Sequence, residues 1–197
     1  MNSIIEAAVG LSDLPIAVLS LIFSILSKKN GKKEWSIVFL FTGICAIIGT
    51  VAHTFAFSKF MYKLIWTVLY ILLFDTVRRY ILLFTNLIRK TDNIKKYIIT
   101  IEISLYLICL FFLYIIEKYD ILILILFSAL CLCLLFCNIF KYRYINKYLI
   151  SIFVLISVSV ILQILSNKLR ILIVAEHLFL FSALFVVYKM SELTENS

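Results

Sequence analysis

Proline occurs once in the 197 residues, glycine four times and histidine twice, and the first 27 residues hold no Lys or Arg. So few chain breakers, with no low-complexity stretch, exclude long linkers and a second, soluble domain. Residues 1–197 therefore read as one domain. A cleavable signal peptide needs a basic start and a small-residue cleavage site. The N-terminal segment has neither and carries Glu6 and Asp13 instead, so a retained N-terminus is expected. There is no HExxH, no paired-cysteine motif, no Gly-rich phosphate loop and no nucleophile elbow.

Apolar residues are abundant. They make up 64% of the chain and the mean hydropathy is +1.11, against roughly 45–50% apolar in a soluble domain. A soluble fold has no room to hide that much apolar surface, so the chain reads as an integral membrane protein, with the bacterial inner (plasma) membrane as its expected location. The net charge of +8 does not argue for nucleic acid, because the basic residues are confined to short loops between apolar runs, as topology signals are. Cys45, Cys109, Cys131, Cys133 and Cys137 all lie inside apolar runs and read as packing residues. On a helix Cys131 and Cys133 point about 200° apart and cannot chelate one ion together.

Spanning the hydrocarbon takes about 20 apolar residues in a helix. Cutting the chain at its charged clusters gives seven such runs, approximately 4–27, 35–57, 62–86, 97–116, 120–140, 146–166 and 169–189. They are continuously apolar rather than alternating, which excludes a barrel. The expected fold class is thus all-α, a bundle of seven transmembrane helices. Twelve basic residues fall on one side, in the stretches 28–33, 89–96 and 141–147 and at Lys189. Five fall on the other: Lys59, Lys63, Lys118, Lys168 and Arg170. The positive-inside rule then places the N-terminus outside and the C-terminus in the cytoplasm. Helix one spans comfortably only if it starts near Ile4 and kinks at Pro15, which frees the Leu11 carbonyl.

Depth can be counted along these helices. Asp13 lies 15 residues before Lys28, about 22 Å above the inner interface, and His53 lies 18 residues after Trp35, about 27 Å above it. Glu176 and His177 lie roughly 12 Å below the outer interface. With Glu6 at the outer end of helix one, these residues form one polar layer in the outer half. An ionisable group at such depth costs at least about 2.5–3.5 kcal/mol and normally faces the bundle interior with a partner. Thr42, Ala46, Gly49, Thr50 and His53 share one helix face, whose small side chains permit close helix approach. A plainer reading makes His53 interfacial, Asp13 a helix cap, and Glu176 the partner of Arg170 or Lys168. A second cluster, Asp75 with Arg78 and Arg79 at i+3 and i+4 and with Glu102, reads as a structural ion pair. Gln163 and Asn167 either line the upper cavity or bond across helices.

The segments "GTVAHT" (49–54) and "AEHLFLFSALFVVY" (175–188) resemble the second and last helices of the superfamily that joins alkaline ceramidases with the progestin and adipoQ receptors, often called CREST. The acidic residues at 6 and 13 also look like a pattern in related bacterial proteins. Position 49 is Gly where that family has Ser, and position 173, four before His177, is Ile where it has a second His. The resemblance implies a metal-dependent hydrolase of an amide or ester bond in a membrane lipid. It implies Zn²⁺ held by His53, His177 and Asp13, with Asp13 or Glu176 as the base for a zinc-bound water and Thr50 polarising the carbonyl. The alternative is a non-enzymatic membrane protein (a transporter, sensor or immunity protein) in which the same layer binds a cation or a proton.

Overall fold

The computed structural model describes residues 3–55, 57–86, 92–116, 146–166 and 172–193. Among them every element is helical: α1 (Ser3–Ser12), α2 (Leu14–Lys29), α3 (Lys33–Thr54), α4 (Lys59–Asn86), α5 (Asp92–Phe111) running into a π-helical turn (Phe112–Ile116), α6 (Asn146–Ser166) and α7 (Leu172–Leu193). Four segments are long and apolar enough to cross a membrane: Ala8–Lys29, Lys33–Thr54, Lys59–Leu83 and Leu172–Leu193. α5 and α6 contain shorter apolar stretches, Tyr106–Ile115 and Ile150–Ser159. The run expected at 120–140 lies outside the described residues.

The first span is broken where proline requires it. Pro15 has no N–H for the Leu11 carbonyl, and its ring crowds that carbonyl, so the helical ladder lapses and α1 meets α2 at Asp13. The lapse is slight. Asp13 keeps helical angles (φ −76°, ψ −24°), its N–H donates to the Gly10 carbonyl at 3.3 Å, and its own carbonyl accepts from Ala17 at 3.0 Å. The capping role considered for Asp13 is not realised, since its side chain makes no capping hydrogen bond. Its carboxylate is spent elsewhere.

α3 packs along both α1 and α2, and α7 lies against the same two helices. α4 covers α3, α5 covers α4, and α6 covers α7. With no hydrophobic force between helices in lipid, close van der Waals contact has to hold such a bundle. Small residues provide it. A methyl group on Gly43 would stand 3.1 Å from the Leu21 side chain and 3.3 Å from the Ala17 carbonyl. Toward the α2–α3 turn the packing becomes aromatic. Phe23 stacks on Tyr188 with ring centroids 4.0 Å apart, and meets Phe39 edge-on at 5.7 Å. Trp35 and Tyr80 close the cluster around Phe39.

The turn itself is latched to the far end of the chain. Gly31 takes φ +80°, a conformation other residues rarely adopt. Lys32, only 8% exposed, then donates from Nζ to the Ser191 carbonyl at 2.7 Å. A cation is favourable there, at the C-terminal end of α7. On α4, Asp75 pairs with Arg78 and with Arg79, the latter at 2.7 Å, as its spacing predicts. Arg79 also lies over the Phe41 ring, 5.0 Å from its centre. Glu102, expected beside them, stands on α5.

Gly43→Val is expected to force α2 and α3 apart and to destabilise the bundle by about 1–3 kcal/mol. Thermal unfolding in detergent measures this, and an unchanged midpoint would show that α2 and α3 do not meet at Gly43.

Candidate functional site

The break at Asp13 faces Gly49 on α3. A Cβ at position 49 would stand 2.8 Å from Asp13 Oδ2, closer than any real Cβ could sit. The glycine that departs from the ceramidase pattern is therefore what leaves room for the Asp13 carboxylate, which is buried at 8% exposure.

α7 delivers two more ionisable groups. Adjacent helical residues point about 100° apart, and α7 lies between α1/α2 on one side and α6 on the other. His177 turns toward α1, where Nδ1 lies 2.5 Å from Ser12 Oγ, and its Nε2 lies 3.4 Å from Asp13 Oδ1. Glu176 turns toward α6, where Ser159 Oγ donates to its Oε1 at 3.1 Å. Its other oxygen, Oε2, lies 3.4 Å from His177 Nε2 and accepts no hydrogen bond. Both reach the cluster, and Glu176 is the more deeply buried, at 4%.

The Ser12 hydroxyl lies 2.6 Å from the Val9 carbonyl and 2.5 Å from His177 Nδ1, and whether it donates to the ring or accepts from it depends on the tautomer. In either tautomer a neutral ring can donate from Nε2 to at most one of the two carboxyl groups that face it. Two ionised carboxylates side by side therefore repel unless a further proton is held in the triangle of Nε2, Asp13 Oδ1 and Glu176 Oε2. Among the described residues neither carboxyl group has a Lys or Arg partner. Lys168, Arg170 and Asn167, and with them the expected pairing of Glu176 with Lys168 or Arg170, lie outside the described residues.

The other expected site residues lie around this core. His53 sits half-buried on the last turn of α3 and meets Trp66 of α4 edge-to-face, with ring centroids 5.8 Å apart and planes at 81°. Thr50 donates to the Ala46 carbonyl at 2.9 Å and so spends its hydrogen on its own helix. Glu6 stands on α1 and Gln163 on α6. Among the described residues no three His, Cys, Asp or Glu side chains are arranged to hold a metal ion. Of the expected zinc set, His177 and Asp13 meet at 3.4 Å, while His53 is seen in ring contact with Trp66.

Two members of the cluster had no functional part in the sequence reading. Ser12 stands beside Asp13 at the end of α1, and Ser159 is one of several serines on α6. A depth count brings Ser157 and Ser159, about 13 and 10 Å below the end of α6 at Ser166, equally near the level of Glu176, and does not choose between them. Comparison with family models, with curated proteins and with solved structures finds no match to the chain.

Gly49→Ala is expected to displace the Asp13 carboxylate and to cost about 1–3 kcal/mol. Asp13→Ala should relieve most of that cost in a double-mutant cycle. Strictly additive effects on the unfolding midpoint would show that the two residues do not touch.

Proposed function

We propose that the chain is a membrane protein whose Asp13–His177–Glu176 cluster binds and releases protons, as in a transporter or a proton sensor. The observation that carries this reading is His177, with one nitrogen held by Ser12 and the other facing two carboxyl groups that lack a fixed cationic partner among the described residues. Ionised together, two carboxylates and one imidazolium carry a net −1. A low-dielectric site disfavours net charge, and neutrality is reached by taking up one more proton. The three groups then share two protons over three basic positions and titrate as a unit. Small changes in their mutual distance redistribute those protons. Metal-dependent lipid hydrolysis, the activity implied by the ceramidase resemblance, draws less support, because it needs ligands that His53, directed at Trp66, does not help to gather.

With the seven-helix layout and the N-terminus outside, the cluster lies in the outer half of the bundle and exchanges protons with the external face. The count of basic residues on either side of the helices supports that orientation, and the apolar run at 120–140 supplies the remaining span. A reporter active only in the cytoplasm should function when fused after Ser197, and a tag ahead of Met1 should be reached from outside. The reverse pattern would move the site to the cytoplasmic leaflet.

Infrared difference spectroscopy across a change of external pH tests the chemistry. A protonated-carboxyl band should appear and vanish in the wild-type protein and change in Asp13→Asn, in Glu176→Gln and in His177→Ala. The reading fails if the band is the same in all three variants. It also fails if purified protein carries stoichiometric zinc that His177→Ala loses, which would favour the hydrolase.

A further inference from the structure

Ser12 ends α1, and its side chain joins that helix to α7. Thr42, Thr50, Thr67, Thr76, Ser151 and Ser182 each donate to the carbonyl four residues back on their own helix. The Ser12 hydroxyl also has a carbonyl of its own helix within reach, that of Val9, but it stands 2.5 Å from Nδ1 of His177 as well. The far nitrogen of that ring, Nε2, lies 3.4 Å from Asp13 Oδ1 and 3.4 Å from Glu176 Oε2. Hydroxyl, imidazole and carboxyl thus follow one another in a single chain. A serine nucleophile, its base and the acid that orients the base are arranged in that order.

The chain of groups begins at the surface of the bundle. Ser12 is only half-buried. Leu11 and Leu14 on either side of the break, and Leu178 next to His177, are all exposed, and in a membrane-spanning bundle such side chains meet the acyl chains of lipids. Depth also matters. Ser12 lies 16 residues before Lys28, about 24 Å of helix rise, in a hydrocarbon layer about 30 Å thick. That leaves it near the opposite boundary, the level at which the ester carbonyls of glycerolipids lie. A reacting carbonyl can come to Ser12 from the bilayer itself, with no passage through the packed interior of the bundle.

We propose that Ser12 is a nucleophile that takes the acyl group of an ester-linked membrane lipid, with His177 as its base. The proposal goes beyond proton binding, since it needs the Ser12–His177 contact and not exchange with an aqueous face. In the reactive tautomer Nε2 carries its proton toward the carboxyl groups, and Nδ1 is free to accept. The ring nitrogens serve in the reverse of their usual order, which alters neither role, because either nitrogen is donor or acceptor according to the tautomer. Ser12 Oγ attacks the ester carbonyl carbon while its proton passes to Nδ1. The new C–O bond forms, the bond to the alcohol oxygen breaks, and that oxygen leaves with the proton from Nδ1. Water then attacks the acyl-serine and gives a proton to Nδ1, which returns it to Ser12 Oγ as the acid departs. One ester and one water become one acid and one alcohol, with no change of oxidation state. While the ring is charged, the carboxyl groups of Asp13 and Glu176 offset its charge. Asp13 acts through His177 and is a positioning residue.

The experiment uses the full chain in vesicles of dioleoyl phosphatidylglycerol and a fluorophosphonate probe, which phosphonylates an activated serine. The wild-type protein should gain an adduct that mass spectrometry maps to Ser12, and it should release oleate from the vesicles. Ser12→Ala should do neither. His177→Ala should be labelled about a hundredfold more slowly, as loss of a positioned base entails, and added imidazole should restore part of the rate. Asp13→Asn should slow labelling about tenfold and displace its pH profile, which a loss of packing alone leaves in place. Ser182→Ala, which removes an exposed hydroxyl bonded to its own helix, should behave as the wild type does. Mapping the wild-type adduct needs no variant, so it decides the question even where a variant unfolds. The proposal is overturned if no adduct forms at Ser12, if heat-unfolded protein is labelled there as fast, or if folded His177→Ala matches the wild-type rate. An adduct without release of oleate overturns the lipid ester as substrate. A carboxyl infrared band that responds to pH in a protein without the adduct removes the nucleophile and leaves the proton site standing. An adduct in a protein without that band does the reverse.

Discussion

The close approach of α3 to the broken first span is the contact on which the other features depend. Gly43 and Gly49 on α3, and Gly10 on α1, which meets Thr54 and the Thr50 carbonyl, bring the backbones together where any larger side chain would collide. In lipid there is no hydrophobic gain from putting two apolar helices side by side, so contact of this quality has to supply the association. It also decides which polar groups can be buried. Asp13 sits at the interruption of the first span, opposite Gly49, where α3 has no side chain. A Cβ at position 49 would stand 2.8 Å from Asp13 Oδ2, so with any other residue there the carboxylate would have to shift.

Much of the layout was legible in the sequence because helix rise converts residue counts into depth. Asp13, Glu176 and His177 were placed in one layer by counting from charged ends, and the structure brings those three together. The kink at Pro15 was legible for a similar reason, since proline's missing N–H acts locally whatever packs around it. The Asp75 pair with Arg78 and Arg79 followed from i+3 and i+4 spacing alone.

Azimuth and helix adjacency were not legible. His53 has the right depth and lies on the small-residue face of α3, yet its position on the last turn lets the ring reach Trp66 on α4. Nothing in residues 49–54 states which neighbour that turn will meet. Glu176 and His177 posed the converse problem. They point about 100° apart, but α7 has partners on both sides, so both directions lead inward. Ser12 and Ser159 were hidden because a hydroxyl in an apolar run most often bonds to its own helix, as Thr50 and Ser182 do. Only the position of a neighbouring helix separates the exceptions.

The two charged clusters of the bundle show two different solutions to the cost of charge in lipid. On α4, Asp75 is met by two guanidinium groups, and an Arg keeps its charge at any accessible pH. That cluster has its charges built in, and what varies there is geometry. The Asp13 cluster has carboxyl groups and an imidazole with no Lys or Arg partner among the described residues, so its neutrality is a matter of how many protons it holds. A permanently charged pair is suited to holding helices in place. A site that becomes neutral only by binding protons ties its own electrostatic energy to the pH of whatever compartment it communicates with, and that coupling is available for work only if the cluster can reach water. The same close approach that joins α3 to the broken first span leaves room at Gly49 for the Asp13 carboxylate, so helix association and the burial of this cluster follow from one sequence feature.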